Sequence, residues 1–428
     1  MTPGARRTSL GLLVLLAGCG SRSGLYDDPL PDAATTPDVP AGTDVLVVTD
    51  VPGVTDVPVV TDAGPCRWQA GPAQVLTPQA DFDRSLTAVI PHGAGALVAW
   101  DISNDPAPML NRMVLRVDAQ GAPVGQPQPV LLRQSGVSHG GVSLADQGGL
   151  LAAAGWDAAG GCRFVRLTSE GASAGPETRV GTRNCNRLAP VAGQFELLEA
   201  EEGVSAAAVP VRLARSGAVV RRGESLVPRV DNPFWTARRL NGAGDMLSAW
   251  MPGNLAPTRV MARVYSEDGT PRGAAVTVAE LTAPATRVAA IPTPGGYLLG
   301  WTRRVGPDDQ QHTIETAPVD ALARSLGRPA AVMGTRVWRD AGFALLPYQG
   351  AALMAWVESD AGTDGRLRFV PLTPQGDRAG DDLVVTEGRF MRRPALVATA
   401  GGGVLVVYEA PGQTFRRVLF AQPLRCVR

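Results

Sequence analysis

Ala96-Leu97-Val98-Ala99-Trp100 (ALVAW) opens a series of short apolar runs that come after a glycine and end in an aromatic residue. The others are LLAAAGW (150–156), MLSAW (246–250), YLLGW (297–301), ALMAW (352–356) and VLVVY (404–408). Most follow one another at about 50 residues. The interval from Trp156 to Trp250 is double length and contains QFELLEAEEG (194–203), where Leu198 stands in the aromatic's place, so the units number seven. An alternating segment follows each run, such as MVLRVD (113–118), CRFVRL (162–167), VMARVY (260–265) and RLRFVPL (366–372).

Four of these segments lead into one turn signature: DAQGAPVG (118–125), TSEGASAG (168–175), SEDGTPRG (266–273) and TPQGDRAG (373–380). Glycines four apart at a hairpin suit backbone positions that need positive φ. A further strand comes after the turn, as in QPVLL (128–132) and DLVVT (382–386), and another precedes each glycine-aromatic run, as in LTAVI (86–90) and PALVA (394–398). Four antiparallel strands per unit, repeated seven times, predict an all-β chain folded as a seven-bladed β-propeller. Each four-stranded sheet has two apolar faces, which only neighbours on both sides can bury.

The chain ends bear on closure. The last unit stops after its third strand, RVLFAQPL (417–424), while GPAQVLTP (71–78) reads as a fourth strand with no unit before it. The N-terminal strand is therefore expected to complete the last blade, with the propeller spanning 66–428. Aligning RFVPLTPQG (368–376) with LFAQPLRCVR (419–428) puts Cys426 in the missing hairpin turn, and Cys66 falls there too.

Composition sets the class. The 428 residues are 45% hydrophobic and 5% aromatic, with 50 Gly and 36 Pro, which favours short strands and turns over long helices. Formal charge is zero, so nothing draws the chain toward nucleic acid. The segment 20–65 holds eight Asp and one Arg, leaving residues 66–428 mildly basic, with 37 Arg against 32 acidic groups. All 40 basic residues are Arg. Without a single lysine, a lysine-bearing phosphate loop, a Schiff-base enzyme and a kinase-type nucleotide site are excluded.

The first residues carry an address. Arg6 and Arg7 precede LGLLVLL (10–16), an apolar stretch too short for a bilayer of ~30 Å but suited to a signal-peptide core. The run closes as LAGC (16–19), which resembles the lipobox of bacterial lipoproteins. That resemblance implies removal of 1–18 and acylation of Cys19, whose chains would attach the protein to membrane lipid. Gly20 and Ser21 follow, with no Asp, and by the same resemblance this implies outer-membrane or cell-surface sorting. Residues 19–65 then form the tether, with a six-residue repeat from Thr43: TDVLVV, TDVPGV, TDVPVV. Recurrent Pro blocks ladder pairing and spaced Asp residues repel, so an extended, disordered spacer reaching roughly 35–40 Å or more is expected. Taken whole, the lipobox, the spacer and the Trp-marked propeller are similar to lipoproteins of myxobacteria-like deltaproteobacteria.

With Cys19 lipidated, four cysteines allow three pairings. The repeat selects Cys66 with Cys426, riveting the strand exchange, and Cys162 with Cys185, across the third-to-fourth-strand hairpin of blade 2. An exported location permits both. On loop entropy the long closure contributes at most about 5–6 kcal/mol and the short one about 3 kcal/mol.

No other motif carries chemistry. GVSHG (136–140) matches a hydrolase nucleophile elbow, which needs a strand–turn–helix; here Ser138 and His139 fall in an inter-blade loop. His92, His139 and His312 lack ligand spacing, and DAGTDG (360–365) lacks the acid alternation of a calcium loop. The repeated aromatics read as inter-blade packing rather than a sugar platform. Arginine pairs (221–222, 238–239, 303–304, 392–393, 416–417) read as edge charges; several converging on one channel mouth would instead suit an anionic ligand. No catalytic residue, metal or cofactor is assigned. The expectation is a monomeric binding or scaffold propeller presenting one face to a protein or glycan. The alternatives are a polysaccharide hydrolase or lyase with loop-borne carboxylates, and a structural envelope component.

Overall fold

A computed structural model describes residues 66–427 except 78–82, 104–109, 131–140, 158–160, 183, 201–207, 227–234, 241–244, 253–257, 306–310, 333–336, 339–341, 360–363 and 413–415. Cys19, the leader and the tether lie outside these residues. Two short strands come first, β1 (Arg67–Ala70) and β2 (Gln74–Val75). Blade 1 holds β3 (Asp83–His92), β4 (Gly95–Ser103), β5 (Leu110–Val117) and β6 (Pro123–Val130). Blade 2 holds β7 (Ser143–Gln147), β8 (Leu150–Asp157), β9 (Gly161–Leu167) and β10 (Thr178–Gly181). Blade 3 holds β11 (Asn184–Val191), β12 (Gln194–Ala200), β13 (Ala208–Leu213) and β14 (Val219–Arg222). Blade 4 holds β15 (Trp235–Leu240), β16 (Met246–Met251), β17 (Arg259–Tyr265) and β18 (Val276–Glu280).

In blade 5 are β19 (Ala285–Thr293), β20 (Gly296–Arg304), β21 (Gln311–Asp320) and a broken outer strand, β22 (Ala330–Ala331) and β23 (Val337–Trp338). Blade 6 holds β24 (Phe343–Tyr348), β25 (Ala351–Ser359), β26 (Asp364–Leu372) and β27 (Leu383–Arg389), and β23 also bridges to β25, joining the two sheets. Blade 7 holds β28 (Arg392–Ala398), β29 (Val404–Pro411) and β30 (Arg417–Val427). The chain is all-β, with seven blades of antiparallel strands in a ring.

Burial explains the strand sequences. The second strand of each unit is covered on both faces, so it reads as a continuous apolar run: every residue of β16 is buried. Outer strands border solvent, and all four residues of β14 (VVRR) are exposed. Among the described residues, the buried apolar side chains fall into seven clusters, one for each junction between blades. Leu97 and Ala99 meet Leu151 and Ala153 between blades 1 and 2, and Phe164 meets Phe195 between blades 2 and 3. Leu405 and Val407 of blade 7 meet Val98 and Trp100 of blade 1, which completes the ring. Trp100, Trp250, Trp301 and Trp356 are each at most 1% exposed, so these aromatics pack between blades and offer no sugar platform.

The outer edge of blade 7 is supplied by the N-terminal segment. β1 pairs with β30 from Arg67↔Val427 to Ala70↔Leu424, and β2 pairs Gln74↔Ala421 and Val75↔Phe420. One strand was expected over 71–78; instead the segment splits, with Gly71 N–H donating to Pro423 O at 2.8 Å between the two pieces. The Cys66–Cys426 disulfide caps this edge at a Cα–Cα distance of 5.4 Å. Trp68 reaches back to blade 6, with its ring 5.0 Å from Phe369 and 5.5 Å from Tyr348.

The Cys162–Cys185 bridge corrects the hairpin reading. Cys185 belongs to β11, the inner strand of blade 3, so the bond ties blade 2 to blade 3, and both cysteines are fully buried between them. The physical reason is that β10 ends at Gly181 and the chain crosses to the next blade within a few residues.

The hairpin signature is more widespread than four copies. In six blades the N–H of the first turn residue donates to the carbonyl four residues on, and the fourth residue's N–H donates back: Asp118/Gly121, Thr168/Gly171, Ala214/Gly217, Ser266/Gly269, Asp320/Ala323 and Thr373/Gly376. The fourth residue is left-handed throughout, with φ from 64° at Ala323 to 92° at Gly376. This turn also docks blades together. A Cβ on Gly171 would stand 2.7 Å from Val114 of blade 1, and one on Gly217 would overlap the Phe164 ring of blade 2.

Two expectations follow. Gly171 and Gly269 share φ +86°, but only Gly171 abuts a neighbouring blade. Gly269→Ala should cost about 1–2 kcal/mol for the left-handed backbone, and Gly171→Ala a further 1–3 kcal/mol, roughly, for overpacking, read as the difference in urea unfolding. Replacing Cys66 and Cys426 together by Ser should lower stability by roughly 2–5 kcal/mol and raise amide exchange across 67–76. Unchanged exchange would mean that hydrogen bonds alone hold that edge.

Candidate functional site

Residues of five blades, among those described, line an open cavity of about 540 Å³ on the ring axis. Its polar lining comprises Thr87 (β3), Ser143 (β7), Arg187 (β11), Glu196 (β12), Arg287 (β19) and Arg393 (β28), against apolar wall residues such as Leu86, Leu144 and Leu188. Three blades thus each bring one guanidinium-bearing residue to a single space.

Local irregularity puts them there. The inner strands β11, β19 and β28 each lose register with their partner at the arginine: between Asn186 and Ala189, between Ala285 and Arg287, and between Arg392 and Ala395. A bulge of this kind re-aims a side chain that regular pleating would send between the sheets. Arg187 and Arg393 adopt left-handed backbone, with φ of 56° and 48°. For a residue with a Cβ that conformation costs roughly 1–3 kcal/mol, and it persists where the surroundings enforce it. Arg187 N–H donates to Ser143 Oγ at 2.7 Å, and the Arg393 guanidinium donates to Ser85 Oγ. Arg187 and Arg393 thereby each bind a serine of a neighbouring inner strand. Gly342, at φ 76°, leaves space for the Arg287 guanidinium that a Cβ would fill.

Two carboxylates lie close by, and both are engaged. Glu196 pairs with Arg212 at 3.0 Å. Glu409 is fully buried, accepts the Leu86 N–H at 2.7 Å, and stands 3.7 Å from Arg393 and 3.5 Å from Arg417. Burial pushes the Glu409 carboxyl above the usual carboxylate range, with Arg393, the Leu86 N–H, Arg417 and Arg392 pulling the other way. The hydroxyl of Thr87, in the cavity wall, is buried and makes no hydrogen bond.

Other residues singled out by sequence go elsewhere. Ser138 and His139 of GVSHG lie outside the described residues, as does most of DAGTDG. His92 ties blade 1 to blade 2, with Nε2 3.0 Å from Ser169 O, and His312 is buried in β21. Among the described residues, no group of three or more His, Cys, Asp or Glu side chains could hold a metal ion. The arginine pairs are less like free edge charges than expected. Arg222 engages Glu199 and donates to Val180 O of blade 2 at 2.7 Å, while Arg221 donates to Asp268 O of blade 4 at 2.9 Å. As the last two residues of the outer strand β14, they tie blade 3 to both neighbours. Among the pairs whose side chains are described, Arg393 is the one that lines the axial cavity. Arg187 and Arg287 went unread, because single arginines in inner strands look like any other charge; a bulge leaves no mark in the residue pattern.

Solved structures resemble the chain at very low identity. A protein of unknown function from Dyadobacter fermentans superposes with a TM-score of 0.52 at 13% identity, covering 84% of this chain and 99% of its own. The β-propeller domain of the Trilobed protease from Pyrococcus furiosus gives 0.45 at 10% identity, covering 79% and 95%. That of Cps50 (Swd1) from Myceliophteria thermophila gives 0.43 at 13%, covering 79% and 99%. These likenesses show the fold alone. No family model matches the chain, and no curated protein does.

Glu409 yields a pH expectation. Its carboxyl takes up a proton more readily folded than unfolded, so its stabilising contribution is complete below the ordinary carboxylate pKa and is lost as pH rises through the raised value. Glu409→Gln keeps an acceptor for the Leu86 N–H but cannot titrate. Its unfolding free energy should therefore vary less with pH across the mildly acidic range than that of the unmodified chain, by urea titration at successive pH values.

Proposed function

We propose that this chain is an exported, lipid-anchored binding propeller: Cys19 carries the lipid, residues 20–65 are the spacer, and the ring is held out from the membrane to take up a ligand. The observation that carries it is the pair of disulfides in a ring whose axis holds a cationic cavity. Disulfides form and persist in oxidising compartments, so they point to a chain that leaves the cytoplasm, in keeping with the signal-like first residues. Among the described residues the helix-free fold offers no helix long and apolar enough to cross a membrane, so attachment in this reading falls to Cys19. Binding is favoured over glycoside hydrolysis by the cavity wall. Hydrolysis needs two carboxyl groups facing one space, whereas Glu196, the carboxylate among the described lining residues, is already paired with Arg212. The ring acts as a monomer, on the outer membrane or cell surface, with a protein or glycan as partner at one face.

The test is detergent-phase partition of the full chain, expressed with and without Cys19→Ala in a diderm bacterium fed labelled palmitate. The expected result is label and detergent partition for the unmodified chain, and neither for the variant, which should still form both disulfides. A variant that stays in the detergent phase would overturn lipid anchoring at Cys19.

A further inference from the structure

We infer that the axial cavity is a binding site for a small oxyanionic ligand, a carboxylate or phosphate of up to about monosaccharide size; this deepens the binding-propeller reading and rests on it. Arg187, Arg287 and Arg393 come from blades 3, 5 and 7, so no local turn or single sheet accounts for their meeting. Packing would be served by apolar side chains at these positions, as it is by Leu86, Leu144 and Leu188 in the same wall. Instead the chain breaks register on four inner strands, β3 at Thr87 and β11, β19 and β28 at the arginines, and holds two arginines in left-handed backbone. Backbone strain of this kind concentrates where a side chain must be presented to a ligand.

Charge and size agree. The carboxylates nearest the cavity, Glu196 and Glu409, are each bound by guanidinium groups, Glu196 by Arg212 and Glu409 by Arg393 and Arg417, so the surroundings of the axis are rich in cations. Planar guanidiniums match the two oxygens of a carboxylate or phosphate with paired N–H donors, and their charge cannot be removed by deprotonation. A volume near 540 Å³ lies within the range of small-molecule sites and above what a lone inorganic ion fills. The body of the ligand has its own partners. Leu86, Leu144 and Leu188 in the cavity wall offer it apolar contact.

The experiment is isothermal titration of the full chain with citrate, inorganic phosphate and glucose at low and high sodium chloride. Citrate or phosphate should bind, more weakly at high salt, and glucose should not. Tighter citrate binding assigns the site to carboxylates, and tighter phosphate binding to phosphoryl groups. Arg187→Gln and Arg287→Gln should each weaken binding at least tenfold. Arg215→Gln, on an exposed hairpin of blade 3, should leave it unchanged. Arg287→Lys, a milder change that keeps the charge and loses the planar pair of N–H donors, should weaken it by a smaller factor, which keeps the test decisive if a glutamine variant unfolds. No heat with either anion at millimolar concentration, or binding indifferent to Arg287→Lys, would overturn the proposal. Either failure leaves the partition behaviour of Cys19→Ala untouched, so the site and the anchoring stand or fall separately.

Discussion

Burial of both faces of every sheet against its two neighbours is the constraint from which the rest of this molecule follows. A four-stranded sheet of about 40 residues that is apolar on both sides has no stable life alone, because one or both faces would meet water. Closing seven of them into a ring removes every such face, and the seven side-chain clusters, one per junction, are the result. It also explains why the middle strands are continuous apolar runs while the outer ones, such as β14, are short and charged.

The junctions are not alike. Blades 4 and 5 share a large cluster that includes Leu247, Tyr297 and Trp301, whereas the described buried cluster between blades 3 and 4 comprises Leu198, Leu226, Trp250 and Tyr265. Polar ties supplement it: Arg212 donates to Glu267 O, Arg221 to Asp268 O, and Tyr265 Oη to Leu226 O. Hairpin turns supply a second, repeated contact. At Gly121, Gly171, Gly217 and Gly376 the left-handed fourth residue lets the turn lie against the third strand of the preceding blade, as Gly121 does against Ala421 across the meeting of the chain ends. Covalent bonds reinforce two further places, the blade 7 edge and the blade 2–3 junction.

Function enters where this regularity is broken. Regular inner strands would send their side chains into the junctions; bulges at Arg187, Arg287 and Arg393 bring charge to the axis instead. Glu409, buried at the meeting of blades 7 and 1, shows the opposite use of charge. It fastens the Leu86 backbone while drawing on Arg393, a residue of the cavity itself, so seam and cavity share one guanidinium.

The blade count, the identity of the packing aromatics and the pairing of Cys66 with Cys426 and Cys162 with Cys185 were legible in the linear chain. They depend on pattern at fixed spacing, and a repeat displays its own period. Two hairpins escaped that reading, because Ala323 takes the glycine's place in blade 5 and the blade 3 turn lacks the second glycine. The setting of Cys185 was also hidden, since a strand boundary two or three residues away decides whether it faces its own blade or the next. The cavity could not be read at all: Arg187, Arg287 and Arg393 are about a hundred residues apart, and only the curvature of a closed ring, with a bulge in each of β11, β19 and β28, brings them to one axis. Composition and period decide what must be buried, and three-dimensional closure decides what is left facing the centre.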